Sequence, residues 1–242
     1  MPTPQRVCGF VKQIIDHGLH VYTVEIQAEK RFPRFRPGQF MHLAIDEYDP
    51  SGFWPESRVF SIASSPDHLD TITMTYSVKG LFTSRMEKEL HLGKRVWSKL
   101  PYGDFIISKD QENITLFAGG TGVTAFTAFI ESLDKNSIQR VSIFYGAKTP
   151  DLLIYAPMLM KKLKEIPYFN VFFYAQNNYQ DKNISIPTQK GVLSLQKALP
   201  YMGSPDTTIF YLSGPPEMIK ALSNDLKNAG FASDRIKIDA WD

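Results

Sequence analysis

At 242 residues the chain is long enough for one large domain or two of ordinary size, and 43% hydrophobic with 21% charged residues is a globular composition. A net charge of +2 gives no strong field for nucleic acid or a membrane surface, although a docking patch for a charged protein fits inside such a balance. The single cysteine, Cys8, excludes a disulfide framework or a thiolate-held metal or iron–sulfur cluster. No apolar run is long enough for a membrane span, and residues 1–7 lack a signal-peptide core, so a cytoplasmic location is expected.

From Val7 to about Ile107, short β-rich runs alternate with turn residues. Strands are predicted at 7–15 and 19–27 around the turn Asp16-His17-Gly18, then at 39–45, 58–63, 71–78 and 95–100. Residues 48–57, with Asp49-Pro50-Ser51-Gly52, read as a surface loop, and one helix is predicted over 83–90. Such spacing predicts an antiparallel β-barrel or sandwich. After the polar connector 108–113 the rhythm changes. Strands are predicted at 114–118, 141–146, 171–175, 208–212 and 236–239, and helices at 123–133, 158–165, 192–199 and 215–229. Alternating strands and helices predict a parallel sheet with right-handed crossovers. The expected organisation is a barrel over residues 1–108 followed by an α/β nucleotide-binding domain over 109–242.

Three segments carry chemistry. Arg58-Val59-Phe60-Ser61 offers a bidentate cation for a phosphate, an aromatic face, and a hydroxyl for a polar edge. Lys79-Gly80-Leu81-Phe82-Thr83-Ser84 reads as a turn feeding a helix, with Thr83-Ser84 at the expected N-cap and a positive helix end suited to pyrophosphate. Ala118-Gly119-Gly120-Thr121-Gly122-Val123 places a glycine turn between a strand and a helix, where backbone can approach a phosphate or nicotinamide, though without full G-x-G-x-x-G spacing. In this order the three read as a flavin site followed by a nicotinamide-nucleotide site. The five histidines show no metal-ligand spacing, so no metal is expected. The run 161–164 reads as the wet face of a helix, and Cys8 as an inert packed thiol.

These residues resemble the ferredoxin–NADP reductase superfamily, over nearly the whole chain from Pro37-Gly38-Gln39-Phe40 onward. Arg58-Val59-Phe60-Ser61 is similar to its Arg-x-Tyr-Ser motif with Phe60 for tyrosine, and Gly80, Thr83 and Ser84 to its pyrophosphate turn. Pro101-Tyr102-Gly103-Asp104-Phe105 resembles its barrel closure, and Tyr145-Gly146-Ala147-Lys148 falls where Gly-x-Arg is frequent. The turn Gly119 to Thr124 resembles that of its nucleotide domain, with Ala125 where proline is common. Ser213-Gly214-Pro215-Pro216-Glu217-Met218 resembles Cys-Gly-Pro-Pro-x-Met with serine for cysteine, and Asp239-Ala240-Trp241-Asp242 its acidic-x-aromatic ending.

The resemblance implies that Arg58, Phe60, Ser61, Gly80, Thr83 and Ser84 hold FAD. It implies that Gly120, Thr121, Gly122, Gly214 and Pro215 hold the nicotinamide nucleotide, and that Ser61, Ser213, Asp239 and Trp241 line the hydride-transfer site, with Trp241 over the flavin. Tyr174-Ala175-Gln176-Asn177-Asn178 holds no cation where a 2′-phosphate would bind, which suits NADH; Lys182 and Lys190 leave NADPH open. The implied activity is hydride transfer from NAD(P)H to FAD and onward transfer to a separate acceptor, because no carrier module is fused: a ferredoxin, a flavodoxin, an oxygenase component, or a small molecule. The alternatives are an electron-transfer subunit of a larger complex and a non-catalytic sensor module.

Overall fold

The computed structural model describes residues 3–177, 186–204 and 206–239. The chain divides into two compact units, Met1–Ile106 with Thr127–Ser132, and Ile107–Phe126 with Leu133–Asp242.

In the first unit the strands are β1 (Gln5–Asp16), β2 (Val21–Ala28), β3 (Phe40–Ala44), β4 (Arg58–Ser61), β5 (Thr71–Ser77) and β6 (Arg95–Tyr102). They form an antiparallel sheet in the order β4-β3-β6-β1-β2-β5. Just beyond β4, the Ala63 N–H donates to the Thr73 carbonyl at 2.7 Å, so the two edge strands nearly close a barrel. Alternation places Val24, Ile26, Met41, Leu43, Ile72 and Met74 inside. Each such side chain contributes about 1.5–3 kcal/mol on burial. Helix α1 (Leu81–Glu89) buries Phe82 and Met86 against this core.

Two local expectations fail here for backbone reasons. Gly18, Leu19 and His20 have φ of 75°, 50° and 59°, so the turn runs through residue 20 and β2 begins at Val21 rather than at residue 19. The Asp16 carboxylate accepts from the Gly18 N–H at 2.8 Å and holds this left-handed run. Helix α1 begins at Leu81, so Gly80, not Thr83, is its N-cap.

Two histidines of this unit give the barrel a pH dependence. Burial lowers the pKa of His17, whose ring bonds the Thr23 hydroxyl at 2.8 Å, while neighbouring Asp16 opposes. Burial and then the Lys99 ammonium lower that of His42, which stands edge-on to Tyr102. Both fall below the ordinary histidine value of 6.5, so below that value the unfolded chain binds more protons and stability drops with falling pH. His20, raised by its hydrogen bond to Glu87, acts in the opposite direction but is solvent-exposed and contributes little. His42→Gln is expected to flatten the acid side of a melting-temperature profile by a few degrees; an unchanged slope between neutral and mildly acid pH would show that His42 titrates normally.

The second unit contains β7 (Asn113–Gly119), the start of α2 (Thr124–Glu131, which from Thr127 onward groups with the first unit), β8 (Arg140–Ala147), α3 (Ala156–Glu165), β9 (Phe169–Ala175), β10 (Thr188–Lys190), α4 (Leu195–Ala198), β11 (Thr208–Ser213), α5 (Pro216–Asn228) and β12 (Ile236–Ile238). Its sheet is wholly parallel, in the order β10-β9-β8-β7-β11-β12. Strand β7 is buried along its whole length, which a central parallel strand requires. Phe117, Phe144 and Phe172 sit in register on three adjacent strands and stack at 5.3 and 4.8 Å. From β7 the chain winds outward through β8 to β10 and returns to β11 on its other side. The carboxyl ends of β7 and β11 therefore form the switch point at which open α/β sheets bind ligands.

Helix α4 starts at Leu195 rather than at residue 192, because Gly191 takes φ 117° and Leu193 packs on Gly146. Among the described residues no helix is long and apolar enough to cross a membrane, and no cluster of His, Cys, Asp or Glu could hold a metal.

Candidate functional site

In the first unit the site is built where β4 meets the start of α1. Ser61 pairs with Phe40 of β3 and is half-buried; Arg58, three residues earlier, is exposed. Phe60 points the other way, 9% exposed in the barrel core, with its ring edge-on to Tyr76. The Arg58 guanidinium lies 5.2 Å from the Phe82 ring centroid, which ties the strand to the first turn of α1. It donates to Glu56 Oε1 and to the Ser57 carbonyl, both at 2.9 Å. Glu56 also faces Arg85 at 3.6 Å, and Arg85 is held by Asp46 at 2.6 Å and Glu89 at 2.9 Å. Two guanidinium groups thus flank one carboxylate beside the helix start.

That helix start is open. Gly80 has an extended backbone and no side chain with which to cap the first turn. Thr83 sits at the third helical position, where its hydroxyl accepts from the Gly80 N–H at 3.1 Å and from the Lys79 N–H at 2.9 Å. The Ser84 N–H already bonds the Gly80 carbonyl. Thr83 therefore satisfies donors before the helix, and among the described residues no side chain caps the donors inside its first turn. A Cβ at Gly80 would meet nothing within 4 Å. Orphan donors, a positive dipole end, open space and two nearby guanidinium groups fit a pyrophosphate.

In the second unit the glycine turn runs from the end of β7 through a short 3₁₀ turn, Gly120–Val123, into α2. Its glycines have separate reasons. A Cβ on Gly119 would stand 2.7 Å from Met218 and Pro215, and one on Gly122 would stand 2.5 Å from the Ser213 carbonyl oxygen. Gly214, at φ 154°, would likewise drive a Cβ to 2.9 Å from Gly119. These three let the β7 and β11 turns touch. Gly120 differs: its φ is 54° and nothing lies within 4 Å of its would-be Cβ. It presents bare backbone to open space at the switch point. Thr121 supplies the carbonyl to which the Thr124 hydroxyl donates, which fixes the turn at 2.8 Å. Pro215 forms the N-cap of α5, and its ring packs toward Gly119.

Ser213 and Asp239, 26 residues apart in sequence, are brought together in this unit. The serine hydroxyl donates to Asp239 Oδ2 at 2.8 Å, with both residues about 95% buried or more. The Asp239 N–H bonds the Leu212 carbonyl, so β12 delivers the carboxylate to the end of β11. On the other side, the Gln176 and Asn177 N–H groups bond the Ala147 and Lys148 carbonyls and join the ends of β8 and β9. Gln176 and Asn177 are exposed, as is Lys190 on the edge strand β10. Tyr145 is no part of that surface: its hydroxyl is buried against the Leu152 carbonyl, and burial raises its pKa. Asn178, Lys182 and Trp241 lie outside the described residues.

Sequence reasoning missed the Glu56–Arg85 pairing and the part Met218 takes in fixing Gly119 and Gly214. Neither is marked in the sequence, because each depends on contacts between elements distant along the chain.

Residues 116–224 match the oxidoreductase NAD-binding domain family. The chain is 26% identical over 240 residues to the ferredoxin reductase component of 3-ketosteroid-9-alpha-monooxygenase from Mycolicibacterium smegmatis, a match spanning 98% of this chain and 64% of that protein. It is 25% identical over 217 residues to the reductase component of phenol 2-monooxygenase from a Pseudomonas species, spanning 88% and 59%. The chain thus spans roughly three-fifths of the length of the curated relatives it matches. Among solved structures, a ferredoxin NADP+ reductase from Neisseria gonorrhoeae with bound FAD and NADP shares the fold, with a TM-score of 0.78 at 18% identity over 99% of each chain.

Proposed function

We propose that this chain is a member of the ferredoxin–NADP reductase superfamily, an FAD-dependent NAD(P)H oxidoreductase that passes electrons to a separate acceptor and works in the cytoplasm. The observation that carries the reading is the uncapped start of α1, with Arg58 stacked over its first turn at Phe82. Bound there, FAD would supply the hydride-accepting ring that no side chain can replace.

The chain's own residues would bind, orient and exclude water. Arg58 and the uncapped N–H groups of the first α1 turn, Leu81 to Thr83, would hold the pyrophosphate, with Gly80 and Ser84 shaping the turn around it. Ser61 would donate to the polar edge of the ring, and Phe60 would back the wall on which it rests. In the nucleotide-binding unit, Gly120, Thr121, Gly122, Gly214 and Pro215 would bring backbone close to the nicotinamide nucleotide. The Ser213 hydroxyl, fixed by Asp239, would set where the nicotinamide rests, and Trp241 would cover the ring until the nucleotide displaces it. Catalysis of this kind is mainly positioning. Serine in place of cysteine changes the size and polarizability of one wall and leaves that role intact.

The named relatives are reductase or electron-transfer components of oxygenases, which supports a protein acceptor over a small molecule. The neutral Gln176 and Asn177 support NADH. Purified protein is expected to be yellow and to bleach on anaerobic addition of NADH, more slowly with NADPH. Protein that stays colourless with added FAD would refute the flavin reading, and yellow protein that neither nucleotide bleaches would point to a sensor.

A further inference from the structure

We propose that a polar cavity at the amino ends of β7, β8 and β9 is a binding site for a small hydroxycarboxylate, at the opposite end of the sheet from the glycine turn. The cavity has a volume of about 150 Å³. A cavity of about that volume takes up benzene, so a ligand of comparable size fits. Strand β7 runs from Asn113 at the cavity to Gly119 at the glycine turn. At about 3.3 Å of rise per residue, Thr115 stands roughly 15 Å from Gly120, too far for one small ligand to reach both.

The sheet face behind the cavity departs from what packing selects. Two residues before Phe117, Phe144 and Phe172, and so on the same face, the chain places Thr115, Ser142 and Asn170 in register on the same three strands. On β11 that register line carries Phe210, buried in the aromatic core. Buried parallel strands favour apolar side chains, and a polar row beneath an aromatic one runs against that rule. Thr115 is 1% exposed, lines the cavity, and makes no side-chain hydrogen bond among the described residues. A buried hydroxyl without a partner is destabilising, and a ligand oxygen in the cavity would satisfy it.

The walls are held in place. The Ser142 hydroxyl donates to the Tyr201 carbonyl at 3.2 Å, and Asn113 Nδ2 donates to Thr207 Oγ1 at 2.6 Å. Gly203 lies so close to Asn113 that a Cβ there would stand 2.5 Å from the amide oxygen. These contacts fix the connection before β11 over the strand ends, so the cavity needs no ligand to form.

Arg140 sets the charge of the ligand. It pairs with Asn113 one register line further toward the amino ends, and among the described residues it is the only charged side chain lining the cavity. It is exposed and makes no ion pair among the described residues. Its guanidinium lies 5.9 Å from the Tyr168 ring centroid. Stacking of that kind uses a face of the guanidinium and leaves its edge N–H fork for a carboxylate. A single cation matches a monocarboxylate better than a phosphate, which carries close to two charges at neutral pH. The sheet offers this ligand hydroxyl and amide groups, Thr115 and Asn170, rather than an apolar wall, which favours an acid bearing hydroxyls over an aromatic one.

The test is a backbone-amide NMR titration of the whole protein with glycerate, and with inorganic phosphate and benzoate in parallel. Glycerate is expected to shift the amides of Thr115, Arg140 and Asn170 saturably, and to do so equally with NADH present. Arg140→Gln, at an exposed position, should weaken glycerate binding at least tenfold. Thr115→Val should weaken it several-fold while leaving the melting temperature without ligand unchanged or raised, because the lost hydroxyl had no partner. Neither variant should alter reduction of a small acceptor by NADH. Absence of saturable shifts in the wild-type protein, equal binding in both variants, or displacement of glycerate by NADH would overturn the proposal. Tighter binding of phosphate or benzoate than of glycerate would overturn the ligand class. A Thr115→Val protein that melts well below wild type would show that the hydroxyl serves the fold and not a ligand.

Discussion

Gly122→Ala is expected to unfold or severely destabilise the second unit, by about 3–5 kcal/mol, while Gly120→Ala folds and, on the proposed reading, loses nucleotide affinity. The contrast rests on what each new methyl group would meet. At Gly122 the Cβ would lie 2.5 Å from the Ser213 carbonyl oxygen and 2.6 Å from the Gly214 nitrogen, both backbone atoms of a turn that cannot yield. At Gly120 the methyl would enter open space, and only the left-handed φ of 54° would be strained, at about 1–2 kcal/mol. Gly18, Gly93 and Gly230 combine positive φ with open space as well, so what sets Gly120 apart is its place at the carboxyl ends of β7 and β11, where an open α/β sheet binds its ligand. Denaturant unfolding should therefore separate the two variants strongly, and NADH titration of the folded Gly120→Ala protein should show weaker binding. A Gly120→Ala protein that binds NADH as wild type does would reduce that glycine to a turn-former.

The order of elements was legible because both periodicities are strong in this chain. Short β-branched runs broken by turn residues, then apolar strands alternating with amphipathic helices, identify a barrel followed by a parallel sheet. Failures fell where backbone conformation or tertiary contact outweighs local pattern. Strand β10 is Thr-Gln-Lys, which carries no apolar alternation and becomes a strand only by pairing with Phe173 to Ala175. Leu19 and His20 read as strand residues but adopt left-handed conformations set by Asp16 and Gly18. Thr83-Ser84 looked like a cap because hydroxyl residues usually start helices; the helix begins earlier, at a glycine, and that leaves its first turn open.

The site was legible as segments and not as an assembly. Arg58, Ser61, the Gly80 turn, the glycine turn and Ser213 could each be picked out by residue type and order. The fold supplies their relations: Asp239 at 2.8 Å from Ser213, Met218 wedged against two glycines, and Arg58 over Phe82. Glu56 is the clearest case. As part of a Pro/Gly-containing loop it has no distinguishing sequence signal, yet it faces both Arg58 and Arg85.

That shared carboxylate makes the test at Arg58 two-sided. Arg58→Ala is expected to weaken FAD binding roughly 10- to 100-fold, the range for losing a hydrogen bond to a charged group at about 1.5–3 kcal/mol. Arg58→Lys should recover only part of this, because a point charge cannot reproduce a bidentate fork. Glu56→Gln should move affinity the other way, tightening FAD a few-fold, since it removes the anion that competes with phosphate for Arg58 at 2.9 Å. Arg85 would stay fixed in that variant through Asp46 and Glu89. Fluorescence titration of flavin-stripped protein measures all three. If Arg58 is only a surface ion-pair partner, both Arg58→Ala and Glu56→Gln would leave FAD affinity unchanged and cost under about 1 kcal/mol of stability. Opposite shifts from opposite charges would instead identify the Arg58 guanidinium as a phosphate ligand, because no loss of barrel stability weakens binding in one variant and strengthens it in the other.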